Sequence, residues 1–189
     1  MKIPRFDNAS ILTIGDAMVD RYWHGETRRI SAEAPIPVVD VSEIEDRPGG
    51  AANVALNVAT LGARSMLIAA TGADDMAQVL KAKLESSGIG CRFVEVPGWS
   101  TITKIRLVSQ SQQMIRADFE DPVKVDPADL IALLDDTESC DGIVFSDYDK
   151  GVFTDPEQVI ASARARGLPV YVDPKFKPFE VYAGATVIK

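Results

Sequence analysis

Three groups of residues in this chain have types and spacings suited to binding hydroxyls or an anion. The first is Gly49-Gly50 with Asn53 behind it. Two adjacent glycines remove two side chains and permit positive φ, so a ligand can lie directly against the backbone. Val54, Val58 and Leu61 follow at i, i+4 and i+7, the spacing of one helix face, and Gly62 ends the helix. The glycines therefore feed a helix N-terminus, whose unpaired N–H groups and partial positive charge suit hydroxyls or an anion, with the amides of Asn53 and Asn57 along one side. The second group is Asp20, just past an apolar run at 10–14 that ends in Gly15-Asp16. At the C-terminal side of a parallel strand, a carboxylate can accept hydrogen bonds from ligand hydroxyls. The third is Lys104 and Arg106, which share a strand face by period two, with Arg116 joining them across a hairpin. Such cations are charge-assisted donors to a phosphate, although the pattern alone reads equally well as solvated edge-strand charge.

The elements that must position these groups alternate in the manner of a parallel sheet. Residues 10–14, 65–70, 142–146 and 170–172 read as short buried strands, and 74–87, 126–134 and the stretch from Asp155-Pro156 to Gly167 read as helices. Strand and helix in alternation at these lengths predict an α/β fold with a mostly parallel central sheet. Two of the strands deliver an acid and a lysine to one edge, as Asp147-Tyr148-Asp149-Lys150 and Asp173-Pro174-Lys175. Alone, the latter is a weak signal. Residues 22–41 are rich in aromatics, prolines and β-branched side chains without helical period and read as extended structure projecting from the main layer, and 101–119 read as a hairpin with one wet face. Exposed apolar strand edges invite pairing, so a homodimer is expected. Asp74 and Asp75 read as acids favoured at a helix N-terminus.

Composition bounds the function classes. With 189 residues, 46% hydrophobic and 25% charged, the chain is ordinary for a globular domain. A net charge of −8 argues against a nucleic-acid surface. Cys91 and Cys140 have no CxxC spacing and read as buried free thiols, and the single His24 reads as a packing or surface residue. The start, 1–8, has no apolar leader and no window reaches the ~20 apolar residues of a spanning helix, so a cytoplasmic protein with no membrane partner is expected.

Gly49-Gly50, Asn53, Ala55, Gly62 and Gly72 together resemble the N-terminal signature of the ribokinase-like (PfkB) carbohydrate kinases. The stretches 15–25, 29–39, 101–104 and 113–120 resemble, within that family, the bacterial heptose-7-phosphate kinases. The likeness covers essentially the whole chain. It implies a ribokinase-like fold, with helices on both faces of the sheet and a small β-lid at about 21–46 and 100–120 that commonly pairs with a second subunit's lid. It further implies ATP and Mg2+ as cofactors and a phosphorylated sugar as partner. Asp20, Gly49, Gly50 and Asn53 would hold sugar hydroxyls; Lys104, Arg106 and Arg116 the distal phosphate; Lys150 and Lys175 substrate or nucleotide phosphates. Relatives continue past the position of Lys189 into an Asn-x-x-Glu segment and a Gly-Ala-Gly-Asp loop, so the general base is expected beyond Lys189. The 71–75 stretch is not that loop, lying too early and lacking its second glycine. Residues 1–189 are thus expected to form the N-terminal part of one kinase domain, with no catalytic base or metal ligand and no ATP turnover on their own. The expected reaction is phosphorylation of the anomeric hydroxyl of heptose 7-phosphate. Another sugar kinase of the family, or a non-catalytic sugar-binding or dimerising module, is the alternative.

Overall fold

In the computed structural model residues 6–189 are described; the first five residues of the 1–8 start lie outside them. Strand β1 (Ser10–Gly15) passes through the single residue Asp16 into β2 (Ala17–Ile30), which returns as β3 (Pro37–Gly50) and enters α1 (Ala51–Thr60). Next come β4 (Arg64–Thr71), α2 (Asp75–Ser86), β5 (Gly90–Glu95) and the hairpin β6 (Thr103–Ser109) and β7 (Gln112–Phe119). The chain then alternates through α3 (Pro127–Asp135), β8 (Gly142–Asp147), α4 (Pro156–Ala165), β9 (Val170–Pro174), a 3-10 turn (Phe179–Tyr182) and β10 (Val187–Ile188). Six strands form a parallel sheet in the order β10-β9-β8-β1-β4-β5, and the lid is a separate sheet in the order β3-β2-β6-β7.

The central strands are apolar on both sides because both faces are covered. Leu12, Ile14, Ile68 and Phe145 pack with α3 and α4, with Phe153 stacked 4.5 Å from Phe145. Leu67 and Ala69 pack on the other face with α1 and α2. Side-chain carboxylates of Asp74, Asp126 and Asp155 cap the first turns of α2, α3 and α4, each worth about 1 kcal/mol.

Helix α1 differs from its expected face. Its buried residues are Ala51, Ala52 and Ala55, whereas Leu61 is exposed. Small side chains let the helix lie close to the sheet, so the alanine stripe, not Val54-Val58-Leu61, faces inward. The lid also starts earlier than expected. Asp20 lies inside β2, not in a loop, because β2 begins one residue after β1 ends and is paired at once by β3 and β6. Pro37 and Pro48 sit on the edge strand β3, where no inward N–H is lost. Cys91 and Cys140 are half-buried free thiols rather than buried ones; burial pushes the Cys91 thiol up to about 12. No helix among the described residues is long and apolar enough to cross a membrane.

Candidate functional site

Register places the predicted polar groups in two rows across the lid. One row is Arg47, Asp20, Lys104 and Asp118; the next is Glu45, Tyr22, Arg106 and Arg116. Residues two apart on a strand share a face, so both rows lie on one surface. Arg106 Nη1 donates to Asp20 Oδ1 at 2.6 Å, so the carboxylate expected to accept hydroxyls and one of the cations expected to meet a phosphate are paired with each other. Lys104 Nζ donates to Asp118 Oδ2 at 2.9 Å and Glu120 Oε2 at 2.7 Å, and Arg116 Nε donates to Asp118 Oδ1 at 2.8 Å. Tyr22 lies between two guanidiniums, with Arg47 4.4 Å and Arg106 5.2 Å from its ring centre. His24 Nε2 stands 3.5 Å from Glu45 Oε2, a packing and surface position.

These contacts set the charge states. Hydrogen bonds from Lys104 and Lys150 hold Glu120 below the usual carboxylate range. Burial works against the charge of Asp118, but bonds from Lys104 and Arg116 outweigh it and lower that carboxyl as well. Burial likewise works against the Lys104 ammonium, and its two carboxylate partners outweigh it and raise the pKa.

The two glycines do different jobs. A Cβ on Gly49 would stand 2.5 Å from Asp20 Oδ2, so the missing side chain is what leaves room for that carboxylate. Gly50 has φ 58°, and a Cβ there would overlap the Asp16 carbonyl oxygen. That oxygen accepts the Ala51 N–H at 2.9 Å. The close approach at Gly50 is therefore made by the chain itself, where a ligand was expected, because β2 must fold back tightly onto the start of α1. Asn53 stands exposed in the first turn of α1, its side chain without a partner among the described residues.

The second half of the site is the C-terminal edge of the central sheet. A cavity of about 520 Å³ opens between 120–124 and 149–154, with Lys124, Lys150 and Lys177 on its wall. Lys150 Nζ bonds Glu120 Oε1 at 2.8 Å, which joins this cavity to the lid network through Glu120. Lys175 is not part of that wall; its Nζ lies 4.9 Å above the Tyr148 ring. The lysine that takes its place is Lys177, whose Nζ donates to Asp147 Oδ2 at 2.9 Å and the Phe153 carbonyl at 2.7 Å. Asp147 is buried and also accepts from the Tyr182 hydroxyl at 2.8 Å; burial raises the pKa of that phenol. Lys189, the residue beyond which the general base is expected, belongs to the sheet and not to this cavity. It follows β10 directly, and its N–H donates to the Val172 carbonyl of β9 at 2.9 Å. Sequence reasoning brought Asp147 to this edge without a role and missed Lys177, Arg47, Tyr22 and Asp16. Only Lys177 left a usable signal, as the second lysine of Lys175-Phe176-Lys177.

Three lysines on one cavity suit phosphate oxygens. Among the described residues no group of three or more His, Cys, Asp or Glu is placed to hold a metal ion.

A parallel sheet covered by helices on both faces, with a β-lid carrying charge above the C-terminal edge, defines a ribokinase-like α/β protein. Residues 8–188 match the model of the pfkB family of carbohydrate kinases, and the chain belongs to that family. It is 50% identical over its whole length to the Bifunctional protein HldE of Pseudomonas putida (strain KT2440) and 49% identical to that of Pseudomonas paraeruginosa (strain PA7). In both cases it spans 40% of the longer protein. Among solved structures, the tetrameric inhibited form of Escherichia coli phosphofructokinase-2 superposes with a TM-score of 0.70 at 20% identity, covering 92% of this chain and 57% of that one. Arabidopsis thaliana ribokinase complexed with ribose and ATP superposes with a TM-score of 0.65 at 16% identity, covering 95% and 59%. At these identities the structural likeness speaks for the fold alone.

Proposed function

We propose that this chain is the sugar-binding part of an ATP-dependent kinase that phosphorylates the anomeric hydroxyl of heptose 7-phosphate. The observation that carries this reading is the placement of Asp20 Oδ2 against the bare Cα of Gly49, with Arg106 bonded to the same carboxylate and Lys104 one strand away. That combination offers a hydroxyl acceptor beside cations suited to a phosphate. The sugar ring would lie over Gly49 with Asp20 on its hydroxyls and Asn53 at its side. Its phosphate would draw Arg106 away from Asp20 and take Arg116 and Lys104 as further donors.

ATP with magnesium would supply the transferred phosphoryl group and neutralise its charge. Lys150 and Lys177 fit the neighbouring phosphate oxygens across the cavity. The general base is expected in the part of the longer relatives that lies past the position of Lys189. The 49–50% identity to proteins bearing one name supports a shared substrate more strongly than the distant structural likenesses do.

The apolar side of the lid supports a homodimer. Ile44, Ile115 and Phe119 are 58%, 59% and 56% exposed on the face opposite Asp20. A substrate panel on the full-length protein tests the kinase reading, which expects heptose 7-phosphate to be turned over faster than fructose 6-phosphate or ribose. The reverse order would overturn it. We place the protein in the cytoplasm, where ATP is available.

A further inference from the structure

We propose that Asp16 is a positioning residue whose carboxylate holds the 148–152 turn, and through it Lys150, at the wall of the phosphate cavity. Its catalytic consequence rests on the kinase reading above; its geometry does not. Asp16 is 1% exposed and has no cationic partner among the described residues, a costly setting for a carboxylate. Burial accordingly pushes its pKa up, and the nearby Asp147 charge adds to that, against the lowering by backbone bonds. What it has instead of a cation is three backbone donors from alternate residues of one turn. Oδ2 accepts the N–H groups of Tyr148 at 2.8 Å and Lys150 at 3.2 Å, and Oδ1 accepts that of Val152 at 3.2 Å.

The turn needs such a holder. Asp149 has φ 58° and Gly151 φ 105°, residues 148–152 lie outside helix and strand, and the N–H groups of Tyr148, Lys150 and Val152 find the Asp16 carboxylate in place of a ladder partner. An asparagine has one carbonyl oxygen and cannot accept on both sides, so the fit is to a carboxylate. The backbone of the same residue ties two more pieces. Its N–H donates to the Ser146 carbonyl at 3.1 Å, and its carbonyl accepts the Ala51 N–H at 2.9 Å. Asp16 thus fastens the lysine turn to the glycine turn, the two halves of the proposed site.

The test compares wild type, Asp16→Asn, Lys150→Ala and the double variant of the full-length gene product, by amide hydrogen exchange and steady-state kinetics. In wild type the Tyr148, Lys150 and Val152 amides are expected to be protected. Asp16→Asn should speed their exchange about tenfold or more while leaving Leu12 and Ile143 unchanged. It should lower kcat about tenfold or more with the sugar-phosphate KM within about twofold, and add less than about twofold in the Lys150→Ala background, since both changes act through one group. A merely structural role would lower kcat in both backgrounds alike, and that result overturns the proposal. So do unprotected amides at these three positions in wild type, a result that needs no variant to fold. If wild type turns over no sugar phosphate, the kinase reading falls, and the exchange measurements alone then decide whether Asp16 holds the turn.

Discussion

At the scale of single residues, the lid face is a set of opposite charges that already satisfy one another. Asp20 and Arg106 are paired, as are Lys104 with Asp118 and Glu120, so a substrate bound as proposed would exchange partners rather than fill a vacant charge. Replacing Asp20 by alanine removes the proposed hydroxyl acceptor and frees Arg106. Loss of a charge-assisted hydrogen bond worth ~1.5–3 kcal/mol lowers kcat/KM for the sugar roughly 10- to 100-fold, measured by steady-state kinetics. The pH behaviour follows from the shifts. Asp118 and Glu120 have folded pKa values below their ordinary 3.8 and 4.5, so their contribution to stability is present above those values and is lost as pH falls through the depressed ones. Lys104 is raised above 10.5, so its contribution is present below that value and is lost as pH rises through the folded one. Asp16, with its raised pKa, acts in the opposite sense to the two lid acids and favours the folded state more as pH falls. Fluorescence of Trp23, which sits in β2, should therefore report a lid of constant stability from about pH 5 to 10, loosening below about pH 4. Loosening centred near neutral pH would contradict this charge network.

At the scale of elements, the two glycines are held for different reasons, Gly49 by neighbouring side chains and Gly50 by backbone. Gly49→Ala brings a methyl group to 2.5 Å from Asp20 Oδ2 and 2.8 Å from Cγ of the buried Met18, side-chain atoms that can shift, so it should cost less stability than Gly50→Ala while displacing the carboxylate proposed to bind the sugar. Gly50→Ala meets a backbone carbonyl at positive φ and should destabilise the fold by about 1–3 kcal/mol, read from denaturant midpoints. If the two variants lost stability equally, the assignment of separate roles would be wrong. Asp74 is a second joint. It caps α2 and also takes the Thr101 N–H at 2.7 Å and hydroxyl at 2.8 Å, fixing the root of β6. Much of this was legible in the sequence. Apolar runs gave β1, β4 and β8, and the Asp-Pro pairs gave the starts of α3 and α4, because local propensity and capping decide those features. The inward face of α1 was not, since packing distance rather than hydrophobicity favoured alanine there. Nor was Asp16 legible as a holder. Its partners lie 132 to 136 residues away, and nothing local distinguishes a buried acceptor of backbone N–H groups from a loop acid.

At the scale of the whole molecule, the lid has one polar face and one apolar face, and only the polar one bears the proposed site. On the apolar face an Arg21–Asp46 pair, bonded at 2.7 and 2.9 Å, lies among Ile44, Ile105 and Ala117. A second copy covering this face would bury Ile115 and Phe119. Ile115→Glu should then shift the full-length protein from dimer to monomer in sedimentation velocity, and an unchanged mass would exclude the lid as the interface. The lid hangs from the central sheet by Asp16, the Gly50–Ala51 junction and Thr101, so a substrate held by the lid as proposed would face the cavity wall formed by Lys150 and Lys177. The most direct test of this arrangement is a crystal structure of the full-length protein soaked with heptose 7-phosphate. The account predicts sugar hydroxyls on Asp20 over the bare Gly49 Cα, with the phosphate among Arg106, Arg116 and Lys104 and the Asp20–Arg106 pair opened. Sugar bound away from the lid, or bound with that pair intact, would contradict it.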